Sequence, residues 1–208
     1  MKTFNSAKLA LIALFFIMCA KEGLSQNAKR EYYQLKMYTL KDEQQESRMD
    51  NYLEKAYLPA LKKAGINNVG VFKYRPNNYL LANKIYVLIP FSSLDQFAQL
   101  EEKLNQDTAY KAAGKITSKP NMTTHPMNVI NSTLMRAFGE MPKMRASTVS
   151  GKRKDRVYEL RSYESPTEAT YWNKVDMFNA GGEVELFESL GFNAVFYGKL
   201  YLEIECPT

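Results

Sequence analysis

Two triads of polar side chains occupy alternate positions of strand-like segments, and they are the residues best suited to grip a small molecule. In the first, Gln34, Lys36 and Tyr38 alternate with Tyr33, Leu35 and Met37. In the second, Glu159, Arg161 and Tyr163 alternate with Tyr158, Leu160 and Ser162. Successive side chains of a strand point to opposite faces, so each triad shares one face. The more apolar set of each pair is expected against helices, which turns both triads toward the other face of the sheet. A lysine or arginine there suits an anion, and the tyrosines supply hydrogen bonds. The same residues could instead satisfy one another, for example Glu159 with Lys36, because buried charges need partners, or they could face solvent.

Other chemistry is sparse. His125 stands alone between Thr124 and Pro126, a loop setting, so imidazole-based metal clusters are excluded and a single haem ligand is not. Glu183 and Glu185 are two apart on an expected helix and do not share a face. Gly181-Gly182 lacks the strand-turn-helix setting of a phosphate loop and is expected to loosen or kink its helix. Tyr171 and Trp172 begin that helix and are expected to pack on a sheet. Asn121-Met122-Thr123 and Asn131-Ser132-Thr133 match glycan acceptor patterns. No cofactor and no metal site is implied.

The elements that must position these residues form a broken repeat. Tyr33 to Tyr38 is echoed by Tyr158 to Tyr163, and Gly65-Ile66-Asn67-Asn68-Val69 by Gly191-Phe192-Asn193-Ala194-Val195. In the first copy, Glu31–Leu40 reads as a strand with one buried face. Lys41–Ala64 follows with helical spacing through Met49, Tyr52, Leu53, Tyr57, Leu61 and Ala64. Pro59 is expected to bend or break that helix and Gly65 to end it. Asn68–Tyr74 reads as a strand, Arg75-Pro76-Asn77-Asn78 as a turn, and Asn83–Phe91 as the strongest strand of the chain. Ser92 or Ser93 caps a helix through Phe97, Leu100 and Leu104. A looser segment to Thr124 precedes a strand near Ser132–Phe138. The order is β-α-β-β-α-β, the ferredoxin-like motif. The second copy offers only β-α-β: Arg156–Tyr163, Glu168–Leu190 and Phe192–Tyr197.

The 208 residues, 45% hydrophobic and 24% charged, are those of an ordinary globular protein. Residues 1–25 read as an export signal, with Lys2 and Lys8, an apolar run from Leu9 to Ala20, and a small-residue site at Gly23-Leu24-Ser25. That run is short for a membrane span, so a periplasmic or extracellular protein without stable membrane insertion is expected; lipidation at Cys19 or anchoring is the lesser reading. Cleavage after Ser25 takes the formal charge from +6 to +4 by removing three lysines and one glutamate. Only Cys206 would remain, which excludes an internal disulfide. The basic stretch Lys143, Arg145, Lys152, Arg153, Lys154 and Arg156 has no interleaved aromatics and reads as a solvated linker, so no nucleic-acid partner is expected.

The segment Tyr158-Glu159-Leu160-Arg161-Ser162-Tyr163, with Lys174-Val175-Asp176-Met177-Phe178, Gly182-Glu183, Phe187 and Gly191 to Gly198, resembles a NIPSNAP domain. Tyr33 to Tyr74 resembles, more loosely, the first half of bacterial members carrying two such domains. The resemblance spans residues 31–199. It implies a dimeric α/β-barrel fold, in which two four-stranded sheets face each other, from tandem modules or two subunits. It implies no established reaction. Family members continue after the second strand with a turn of the type Gly-x-Arg-Met-Pro-Asn-Leu; Leu200–Thr208 departs from this and is expected to be out of frame.

The expected fold is therefore α+β. A ferredoxin-like module at 31–140 and a linker at 141–155 precede an incomplete module at 156–199 and an aberrant tail at 200–208. The expected function is binding of a small ligand or a partner through the barrel, by an exported protein of undefined activity. The expected assembly is a homo-oligomer or intramolecular pairing of modules. An oxidative or isomerising barrel enzyme and a non-functional truncated product are the alternatives.

Overall fold

The computed structural model describes residues 29–74, 83–117 and 129–207. One antiparallel sheet runs through it. Strands β1 (Tyr32–Thr39), β2 (Gly70–Lys73), β3 (Lys84–Phe91), β4 (Val129–Ala137) and β5 (Gly198–Pro207) lie in the order β2-β3-β1-β4-β5. The first four, with a helical layer after β1 and another after β3, have the ferredoxin-like β-α-β-β-α-β connectivity. The protein is α+β, and β5 extends that sheet by one strand.

After β1, Asp42 caps helix α1 (Glu43–Tyr52) by accepting from the Gln45 amide at 2.7 Å. A π-helical turn (Leu53–Tyr57) follows, and then α2 (Leu58–Lys63). Pro59 does not break the path. The Leu58 amide donates to Leu53 O, and Pro59 falls in the first turn of α2, where a missing N–H is tolerated. The buried residues Met49, Leu53, Tyr57 and Leu61 are spaced by four. At 3.6 residues per turn such a stripe drifts about 40° per step, and the wider π turn takes up the drift. Gly65, at φ 81°, ends the helix, with Ile66 N donating to Leu61 O at 2.9 Å. Ser93 caps α3 (Leu94–Gln106), and α4 (Thr108–Thr117) follows in the stretch expected to be looser.

The main core lies between these helices and one face of the sheet. Ile85, Val87, Ile89 and Phe91 of β3 meet Tyr38, Leu40, Met49, Leu53, Tyr57, Leu61 and Leu100. The opposite face holds Tyr33, Leu88 and Ala137, covered in part by Met144 and Phe196.

The second half differs from its expected form. Arg156–Tyr163 joins no ladder, and Phe192–Tyr197 also stays outside the sheet. The strand is instead Gly198–Pro207, antiparallel to β4, with Tyr201 as an extra residue between the Leu202–Leu134 and Leu200–Met135 pairs. An alternating segment becomes a strand only where a partner edge is free, and Gly198–Pro207 occupies the free edge of β4. The expected helix is two, α5 (Glu168–Phe178) and α6 (Glu183–Ser189), parted at Gly181-Gly182 with Gly182 at φ 74°. Phe178, Val184 and Phe138 form their small core. Among the described residues no helix is long and apolar enough to cross a membrane. The expected signal at 1–25, the Arg75–Asn78 turn, Asn121–Thr123 and His125 lie outside the described residues.

Candidate functional site

The faces of β1 are the reverse of those expected. Tyr38 pairs with Ile85, Lys36 with Val87, Gln34 with Ile89 and Tyr32 with Phe91, and this β3 set is the one that meets the helices. Gln34, Lys36 and Tyr38 therefore look toward the helical layer, and Tyr33 and Leu35 toward the other side. The misreading has a physical cause. Both faces of β1 are covered, so apolar content along β1 alone does not tell them apart. The alternation in β3, with Ile85, Val87, Ile89 and Phe91 on one face, carried the signal.

Beneath the helices four tyrosines gather, and Lys36 reaches the ring of one of them, Tyr57. Tyr38 comes from β1, Tyr52 and Tyr57 from α1 and the π turn, and Tyr110 from α4. The Tyr52 and Tyr57 rings stack at 5.7 Å between centroids, and Tyr110 lies 6.3 and 6.4 Å from them. The Tyr52 and Tyr110 hydroxyls share a hydrogen bond of 2.8 Å. The Lys36 ammonium sits 5.2 Å from the centre of the Tyr57 ring, a cation–π contact. Gln34 donates to Ser132 Oγ at 2.8 Å. The Tyr57 hydroxyl is buried and, among the described residues, has no hydrogen-bond partner. No carboxylate of the described residues pairs with Lys36.

Burial is the leading cause that raises the Tyr38, Tyr52 and Tyr57 phenols well above their ordinary pKa. For Tyr38 the nearby Lys36 charge opposes this; for Tyr52 the bond to Tyr110 reinforces it. These phenols are thus neutral hydrogen-bond donors at neutral pH. The π turn delivers Tyr57 to this cluster, and such turns recur at functional sites.

The second triad is elsewhere. Glu159 and Arg161 pair with each other at 2.9 Å, both exposed, and Arg161 lies 5.6 Å over the Phe192 ring. Tyr163 packs on Phe178 at 5.6 Å and faces the Lys174 ammonium at 4.9 Å. The expected convergence of all six residues does not occur: Gln34, Lys36 and Tyr38 share one face of β1, whereas Glu159 and Arg161 pair with each other and Tyr163 packs on Phe178 of α5. Tyr52, Tyr57 and Tyr110 were missed as site residues. Tyr52 and Tyr57 read as ordinary members of a helical stripe, and the helix bearing Tyr110 was not anticipated.

Trp172 is half exposed and meets the sheet at Lys199 of β5, whose ammonium lies 4.4 Å from the centre of its ring. A separate recess of about 340 Å³ is lined by Arg145, Thr148, Glu188, Phe192 and Asn193, with Arg145 and Glu188 paired across it. Among the described residues no cluster of three or more His, Cys, Asp or Glu side chains could hold a metal ion.

No family model matches the chain, and no curated protein matches it. Among solved structures it is similar to a NIPSNAP-family protein of unknown function from Agrobacterium tumefaciens. The two are 20% identical, the match covers 53% of this chain and 91% of that one, and the TM-score is 0.33. The α+β, ferredoxin-like class rests on the strand order and helix placement of the chain itself.

Proposed function

We propose that the chain is a binding module that holds a small anionic ligand between its sheet and its helices, at Lys36 and Tyr57. The observation that carries this reading is the Tyr57 hydroxyl, buried without a partner beside an ammonium that no described carboxylate neutralises. A buried hydroxyl left unpaired costs about 1–3 kcal/mol, a cost that an acceptor-bearing ligand removes. Lys36 supplies the charge, Tyr57 the hydrogen bond, and Gln34 is held ready by Ser132. The apolar amino-terminal run Leu9–Ala20 supports export of this module.

The test is calorimetric titration of small mono- and dicarboxylates into the protein and into Lys36→Ala and Tyr57→Phe. Each variant is expected to weaken a saturable ligand at least about tenfold, the worth of one charge-assisted hydrogen bond. Undiminished affinity in both variants refutes the site.

A second reading, association of two copies, is favoured by β5, whose Leu200, Leu202 and Ile204 are each about half exposed along an edge that no described strand pairs. Two β5 strands set antiparallel about Leu202 place Leu200 opposite Ile204, twice over. Light scattering should then report a dimer that Leu202→Lys converts to monomer; a monomeric parent chain refutes it.

A further inference from the structure

Three cations converge at the far end of β4 and β5, away from the tyrosine cluster. Arg136 and Lys199 are direct neighbours across the β4–β5 ladder, and like charges so placed destabilise a sheet. Arg30 joins them, its Nε donating to Ala137 O at 2.6 Å. The Arg136 guanidinium lies 5.8 Å from the centre of the Tyr32 ring, the residue opposite it on β1, and the Lys199 ammonium 4.4 Å from that of Trp172. Tyr201 meets Tyr32 edge to face at 6.3 Å.

Nothing among the described residues neutralises this group. None of the three cations pairs with a carboxylate there. Glu203, the nearby acid of β5, stands opposite Thr133 and is bonded to its hydroxyl at 3.5 Å. Thr133 alternates with Leu134 and so belongs to the other face from Arg136. The Arg136 Nε is buried and, among the described residues, has no hydrogen-bond partner. Burial first, and then the neighbouring cations, hold Arg30 and Lys199 below their ordinary pKa.

We propose that Arg30, Arg136 and Lys199, walled by Tyr32 and Trp172, form a binding site for a phosphate-type dianion, free or carried on an organic molecule. A guanidinium pair and an ammonium match the tetrahedral oxygens of such a group. An unpaired Nε and mutual repulsion are what a bound dianion relieves. The aromatic walls suit an attached ring. This site is independent of Lys36, which lies four residues from Tyr32 along β1, about 13 Å at strand spacing.

The experiment uses inorganic phosphate and phenyl phosphate as probes, by calorimetry and thermal melting against chloride at matched ionic strength. Saturable binding is expected, weakened about tenfold or more in Arg136→Gln and in Lys199→Met and unchanged in Lys36→Ala. Tighter phenyl phosphate points to an organic carrier, and equal affinity to the free anion. A sign reversal separates a site from mere structure. Without phosphate, Lys199→Met relieves repulsion and melts at or above the parent; with saturating phosphate it melts below it. Lys199 lies on the edge strand, so this variant keeps the proposal testable if Arg136→Gln fails to fold. Non-saturating uptake, or affinity untouched by both variants, overturns the proposal.

Discussion

Replacing Tyr57 by phenylalanine should stabilise the unliganded protein, although it removes a polar group from the core. The Tyr57 hydroxyl is buried and has no partner among the described residues, whereas the ring stacks on Tyr52 at 5.7 Å and carries the Lys36 ammonium at 5.2 Å. Phenylalanine keeps both ring contacts and deletes only the unpaired hydroxyl. The desolvation cost of that group is about 1–3 kcal/mol, set against a small void. A net gain of about 1 kcal/mol is expected, or roughly 2–4 °C in Tm for a chain of this size. Tyr52→Phe is the control. It breaks the 2.8 Å bond to Tyr110 and strands the Tyr110 hydroxyl, so a loss of about 1 kcal/mol is expected. Urea unfolding followed by far-ultraviolet circular dichroism measures both, with an unchanged m-value as the check that the denatured state is the same. A Tyr57→Phe loss equal to that of Tyr52→Phe would refute the reasoning, because the Tyr57 hydroxyl would then be making a bond in the folded protein.

Two further outcomes follow from the same structure. Burial holds Tyr38, Tyr52 and Tyr57 protonated to higher pH than in the unfolded chain, where tyrosine ionises near pH 10. Their contribution to stability is therefore complete below about pH 10 and is lost as pH rises from there through the raised folded values. Melting temperatures taken across this range should fall above about pH 10, and less steeply in Tyr57→Phe. Phe178, buried among Phe138, Val184, Phe187 and Tyr197, fastens the α5–α6 unit to the end of β4. Phe178→Ala should cost that unit about 3–5 kcal/mol. Limited proteolysis should then cut first between residues 156 and 197, while β1 and β3 remain protected; equal protection of both regions would count against this division.

Much of the first half was legible in the sequence because its signals are local. The alternation of Glu31–Leu40 and Asn83–Phe91, the Ser93 cap and the Gly65 stop are each read over a few residues and stand where expected. The i, i+4 stripe from Met49 to Leu61 named four core residues correctly. The helical path through Pro59 was not legible, because it depends on a π turn that forms against the packed sheet. The site was half legible. Alternation grouped Gln34, Lys36 and Tyr38 on one face, but which face met the helices was set by pairing with β3.

The second half shows the limit most directly. The repeat of Tyr158–Tyr163 on Tyr33–Tyr38 suggested a strand, yet only Gly198–Pro207 lies on the edge of β4 and completes a ladder. The sequence by itself determined which residues alternate, where helices start and stop, and that Gln34, Lys36 and Tyr38 share one strand face. Those are properties of neighbouring residues along the chain. Tertiary structure alone decided which face is buried, which segment becomes the fifth strand, and that Arg30, Arg136 and Lys199 meet. Each of these depends on backbone hydrogen bonds and packing between segments far apart in sequence, which no local pattern encodes.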